Sequence, residues 1–191
     1  MIVSHAKRFI FLHIPKCAGT SFRDALKRYH DDADNFWYRR YHPYFGCEID
    51  LAHMRLWELH ALYPRIFDAM ANYETLALVR NPYERFMSAL AQHLTAFHPN
   101  LDYYSADKEL LRGYAERFIE QELRVERVLG NARFVHFSFQ TWYIYLGERR
   151  LVHHVLPIPN NNQGWAQVFD KLHVLPAPVG RSGSVQNLSH I

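Results

Sequence analysis

Near its start the chain carries a strand–loop–helix unit, and this constrains the fold more than any other feature. Arg8-Phe-Ile-Phe-Leu-His13 is a short apolar run of β-favouring residues and predicts a buried strand. Ile14-Pro-Lys-Cys-Ala-Gly-Thr-Ser21 follows as a loop. Phe22 to Tyr29 then reads as a helix, with Phe22, Leu26 and Tyr29 on one side. A strand that feeds a helix through a short loop is the building block of α/β proteins.

The rest of the chain repeats the alternation. Residues 31 to 50 are polar and aromatic and read as an excursion or acceptor lid without regular structure. His53 to Ala71 has helical spacing interrupted by Pro64. Glu74-Thr-Leu-Ala-Leu-Val79 predicts a second buried strand. At the following turn Asn81 is a good N-cap and Pro82 suits the first helical position, for a helix running to about Phe97. Ala106 to Leu129 predicts one charged helix with Leu110, Tyr114, Phe118 and Leu123 inward. Phe134-Val-His-Phe137 and Leu151 to Ile158 read as strands, Gly164 to Leu172 as a short helix, and residues 176–191 as a tail. The expectation is a single α/β domain over residues 1–191 with a mostly parallel sheet. Ligands of such sheets sit outside the carboxyl ends of the strands, where both the loop after His13 and the turn after Val79 lie.

Composition narrows the function classes. A chain of 191 residues buries roughly 70% of its unfolded surface. Its 49% apolar and 21% charged content argues against disorder. No apolar run approaches the ~20 residues of a membrane-spanning helix, and the N-terminal segment lacks a signal-peptide pattern. The net charge of +3 is too small to argue for nucleic acid. The cations are 17 Arg and 5 Lys, a bias that genomic composition and a polyanionic ligand explain equally well. Cys17 and Cys47 form no CxxC pair and no disulfide framework. Cys47, His53 and His60 have no convincing zinc spacing, so no metal is expected, and a reducing cytoplasm fits best.

The first loop has the makings of a phosphate cradle. Backbone N–H groups of such a loop and the helix start form an anion nest. Gly19 allows close approach or a positive φ, Lys16 supplies a mobile cation, and Thr20 and Ser21 supply hydroxyls. The pattern is not GxxxxGK[ST], because Lys16 precedes the glycine. The second strand ends in Arg80, where a Mg²⁺-dependent P-loop NTPase needs Asp for its metal shell. A cation there suits a further anionic group. Ser88 lies about two helical turns on, and Arg85 between them reads as a brace of the strand ends.

Together these residues resemble the sulfotransferases that use 3′-phosphoadenosine 5′-phosphosulfate (PAPS). Phe11-Leu-His-Ile-Pro-Lys-Cys-Ala-Gly-Thr-Ser-Phe22 looks like their 5′-phosphosulfate loop, and Leu78-Val-Arg-Asn-Pro-Tyr-Glu-Arg-Phe-Met-Ser-Ala89 like their 3′-phosphate motif. His136-Phe-Ser-Phe-Gln140 is similar to a segment of the carbohydrate-type branch, which includes heparan and chondroitin sulfotransferases. The resemblance spans roughly residues 8 to 175 and suggests a compact bacterial member. It implies a P-loop-NTPase-like three-layer fold, a mostly parallel central sheet flanked by helices, and metal-free transfer of a sulfuryl group to an acceptor hydroxyl. It implies donor binding by Lys16, Cys17, Ala18, Gly19, Thr20, Ser21, Arg80 and Ser88, with Lys16 also stabilising the transferred group. Arg181 in the tail is the one candidate for a basic C-terminal loop over the nucleotide.

The resemblance further implies a base between the two motifs. Ala52-His-Met-Arg-Leu-Trp-Glu-Leu looks like the segment that carries it, which nominates His53, with Glu58 and His60 as alternates. Phe36-Trp-Tyr-Arg-Arg-Tyr-His-Pro-Tyr-Phe45 offers aromatic faces to sugar rings or phenols, and Arg39 and Arg40 to an acidic acceptor. The expected acceptor is a saccharide, then a small molecule. Two other readings stay open: a metal-dependent nucleotide kinase or NTPase, and a non-catalytic nucleotide-binding relative.

Overall fold

The apolar runs pair into a four-stranded sheet at the centre of the computed structural model, which describes residues 1–98, 103, 105–158 and 162–174. Its order is β1 (Ile2–Ser4), β2 (Phe9–Leu12), β5 (Glu74–Arg80) and β8 (His154–Ile158). The last three run parallel, and β1 lies antiparallel against β2 as an edge. Phe9, Ile10, Phe11 and Leu12 are buried on both sides of the sheet, as are Leu76, Ala77 and Leu78. Burial on both faces is why these strands are continuous apolar runs and not alternating ones. Leu12 pairs with Ala77, so the loop after β2 and the turn after β5 emerge at the same edge.

Helices α1 (Gly19–Leu26), α2 (Leu56–Leu62), α3 (Pro64–Ala69), α4 (Pro82–Phe97) and α7 (Asn162–Lys171) connect and flank the strands. Pro64 opens α3 and separates it from α2, as its missing N–H requires. Asn81 caps α4 by accepting from the N–H groups of Tyr83 (3.0 Å) and Glu84 (3.4 Å). A second apolar cluster joins Leu90 and Leu94 of α4 to Leu111, Phe118, Val128, Phe134 and Phe137. Among the described residues no helix is long and apolar enough to cross a membrane.

Four expectations change. Residues 31–50 are not irregular throughout: β3 (Arg39–His42) and β4 (Cys47–Asp50) form a hairpin with Gly46 at φ 64° in its turn. The segment before it is tied down, with Asp34 accepting from the hydroxyls of Tyr63 and Tyr38, and Phe36 fully buried. The helix expected over 106–129 is broken into α5 (Lys108–Arg117), a π turn at Phe118–Glu122 and α6 (Val125–Gly130). Its inward stripe is Leu111, Tyr114 and Phe118, while Leu110 is exposed, so the apolar phase begins one residue later. Ala132–Phe137 is a 3₁₀ helix and not a strand, started by Asn131 accepting from the Arg133 N–H. A four-residue apolar run does not distinguish the two. A small antiparallel pair, β6 (Tyr145–Leu146) and β7 (Arg149–Arg150), was not foreseen. Residues 175–191, and with them the expected tail and Arg181, lie outside the described residues.

Candidate active site

The loop after β2 is backbone-strained at two non-glycine positions. Lys16 and Ala18 both lie in the left-handed region, at φ 64° and 54°. Such residues cost about 1–3 kcal/mol each and persist where the surroundings enforce them. They turn successive peptide N–H groups to form a nest. α1 then starts at Gly19, three residues earlier than the apolar pattern indicates, so Thr20 and Ser21 occupy its first turn. Ala18 offers no side-chain cap to that helix start, and its first turn holds no acidic residue. The helix therefore presents open N–H donors and the positive end of its dipole to the nest.

Gly19 is required by close approach and not by its φ. A Cβ at this position would lie inside the imidazole of His13. The His13 ring is held by stacking on Phe11 (5.9 Å between centroids) and on Trp37 (5.7 Å, 5° between planes). Arg23 covers the Trp37 ring at 4.3 Å.

The second turn meets the first through one stripe of α4. Arg85, Ser88 and Gln92 stand at i, i+3 and i+7 and so share a helix face. Arg85 is buried and donates to three carbonyls, of Pro15 (3.2 Å), His136 (3.0 Å) and Ser138 (2.6 Å). Gln92 accepts from the Lys16 ammonium at 2.8 Å. Ser88 lies between these two anchors, half-buried on the face turned to the loop. Arg80, at the end of β5, pairs with Glu84 at 3.1 Å. Burial and the nearby Arg80 charge lower the Lys16 pKa from its ordinary value. Arg85 thus proves to be the brace, and Lys16 and Arg80 are brought to one side of the sheet edge. Gln140 joins them: its amide bonds both the N–H and the C=O of Arg80, each at 2.9 Å.

His53 completes the cluster from the far side of the loop. It ends the 3₁₀ turn Leu51–His53, whose cap Asp50 accepts from the Ala52 N–H at 3.1 Å. His53 Nδ1 lies 2.9 Å from the His13 carbonyl. A carbonyl only accepts, so Nδ1 carries the proton and Nε2 keeps its lone pair. His13 and His136 stand 4.4 and 5.6 Å from the His53 ring, centroid to centroid. Burial pushes the pKa of all three down, that of His136 to about 3, where the His53 and Lys16 charges add to the effect. All three are therefore neutral at pH 7. Among the described residues no group of three or more His, Cys, Asp or Glu is arranged to hold a metal ion. The alternates for a base lie elsewhere. Glu58 is buried in an ion pair with Arg55 at 3.0 Å, and His60 is exposed against Phe67.

Two turns on adjacent parallel strands, with a lysine in one, an arginine ending the other and a histidine beside them, thus meet at one edge of the sheet. Residues 1–166 match the model of the sulfotransferase family. The chain belongs to that family. No curated protein and no solved structure matches it. As a sulfotransferase it is a sulfuryl transferase of mixed α/β, P-loop-like fold, with a mostly parallel central sheet flanked by helices. Three of this sulfotransferase's neighbouring groups escape sequence reading. Gln92 has a faint signal, four residues after Ser88. Gln140 lies in a segment noted only for its likeness, and the His13 ring is marked only by its position before the loop.

Proposed function

We propose that the protein moves a sulfuryl group from PAPS to a saccharide hydroxyl, as in the carbohydrate-type branch of the family and as a compact bacterial member of it. The observation that carries this is Arg80: the central strand next to the phosphate loop ends in a cation, where a metal-dependent nucleotide kinase would carry a carboxylate.

The residues fit the donor. The N–H groups of Cys17 to Ser21, with the Thr20 and Ser21 hydroxyls, hold the 5′-phosphate. Arg80 and Ser88 hold the 3′-phosphate. PAPS, when bound, supplies the sulfuryl group and a bisphosphate leaving group. Lys16 places its ammonium against the charge that builds on the bridging oxygen as the sulfur–oxygen bond breaks, an electrostatic contribution that dominates many transfer reactions. Gln92 holds that ammonium at the edge of the loop. His53 takes the acceptor proton at Nε2, while the Nδ1–H bond to His13 fixes its tautomer and orientation.

The hairpin gives the acceptor its surface. Tyr41 is 60% exposed and Tyr44, in the turn, 77%, flat faces suited to sugar rings. Arg39, in a 3.4 Å contact with Asp50, lies close enough to lower the pKa of His53 and His136. Both cysteines are free thiols, which supports action in a reducing, cytoplasmic setting.

The test is incubation with ³⁵S-labelled PAPS and a panel of oligosaccharides and phenols, in the presence of a chelator. Label on a saccharide is the expected result. Binding of the nucleotide with no transfer to any acceptor in the panel would favour a non-catalytic relative.

A further inference from the structure

Gln140 touches both anion-facing turns, and no role in the transfer reaction requires it. β2 accompanies β5 only as far as the Leu12–Ala77 pair, whereas β8 continues to Arg80. At Arg80 the edge left by β2 is occupied by a side chain. Gln140 Nε2–H donates to the Arg80 carbonyl and Gln140 Oε1 accepts from the Arg80 N–H, both at 2.9 Å. This is the two-bond pattern of a neighbouring strand, supplied by one amide. The same Oε1 accepts from the Cys17 thiol at 3.4 Å, in the middle of the first loop.

The segment that carries Gln140 is itself fixed. Arg85 binds the carbonyls of His136 and Ser138 and reaches Pro15 at the start of the loop. Gln140 then opens the 3₁₀ turn Gln140–Tyr143, which ends on the fully buried Tyr143. The amide is held from behind and presents one donor and one acceptor to a peptide edge. The Arg80 guanidinium meanwhile has a competitor for any phosphate in Glu84, 3.1 Å away. A peptide free to turn at Arg80 lets that ion pair win.

We propose that Gln140 is a positioning residue for 3′-phosphate recognition: its amide takes the place of a strand beside Arg80 and ties that strand end to the Cys17 loop. The proposal rests on the reading of Arg80 as the 3′-phosphate cation. It requires that Gln140 govern preference for a 3′-phosphate and not nucleotide binding in general.

Calorimetry on Gln140→Leu, Gln140→Glu and Arg80→Ala, with adenosine 3′,5′-bisphosphate and adenosine 5′-monophosphate, tests it. Gln140→Leu should lower the preference for the bisphosphate about tenfold, as loss of two neutral hydrogen bonds implies, and leave monophosphate affinity within about threefold. Gln140→Glu should likewise lower the preference at pH 8, where the carboxylate can accept from the Arg80 N–H but cannot donate to the Arg80 carbonyl. Should the leucine variant not fold, the glutamate variant decides: the wild-type preference at pH 8 overturns the proposal. Equal weakening of both nucleotides by Gln140→Leu also overturns it, because that is the effect of a general brace. If Arg80→Ala keeps the preference, the reading of Arg80 is what fails. If Arg80→Ala loses it and the Gln140 variants keep it, Arg80 stands and the role of Gln140 falls.

Discussion

With its Nδ1–H engaged by the His13 carbonyl, the His53 ring accepts a proton only at Nε2, and burial keeps that nitrogen unprotonated below the ordinary histidine range. The sign follows directly. A base with a lowered pKa stays active as the pH falls past about 6.5, and activity disappears only when the pH passes the lowered value. A pH profile of kcat/KM should therefore show its acidic limb below pH 6.5; a limb at or above that value would remove His53 as the base. Lys16 belongs to the same scale. In the proposed role, with its charge aimed at a transition state, Lys16→Ala should cut kcat by about 10²–10³-fold while adenosine 3′,5′-bisphosphate affinity changes less than about threefold. Equal losses in steady-state kinetics and in binding would make it a plain binding cation. The sequence nominates Lys16, Thr20, Ser21, Arg80 and Ser88 because their residue types and local spacing suit an anion site. It does not nominate Gln92 or the His13 ring, and it reaches Gln140 only through the likeness of its segment, because each acts through a partner on a distant segment.

Among the elements, the loop and α1 show why a glycine and two strained residues occur together. Lys16 and Ala18 take the left-handed conformations, and Gly19 makes room for the His13 ring that lies against the helix start. Gly19→Ala should cost about 1–3 kcal/mol by overpacking, seen as a lower Tm, and should also reduce activity by displacing the His13 carbonyl that orients His53. An unchanged Tm in thermal unfolding would mean that the ring and the loop are not packed as described. Strands β2 and β5 and helix α4 were readable because continuous apolar runs and an Asn-Pro cap have few alternatives. The hairpin of β3 and β4 was not, since β3 is largely exposed and β4 contributes a single fully buried apolar residue, Ile49, too little for an alternating pattern. The break between α5 and α6 was not either: the π turn at 118–122 leaves the composition of a helix unchanged.

Across the whole molecule, two motifs far apart in sequence reach one edge of the sheet. Parallel pairing of β2 with β5, in a register that matches Leu12 to Ala77, brings them there. Arg85 and the segment from His136 to Gln140 then hold the edge together. The order of the motifs and the strand alternation made the architecture predictable; the cross-bracing, built from backbone carbonyls, has no sequence signature. The central claim is that this edge takes a nucleotide carrying a 3′-phosphate and needs no metal to do so. Isothermal titration calorimetry with adenosine 3′,5′-bisphosphate in a chelator, against ADP with Mg²⁺, tests it most directly. The bisphosphate should bind at least about tenfold more tightly, as one additional charge-assisted phosphate contact implies. Tighter binding of ADP with Mg²⁺ would contradict the account.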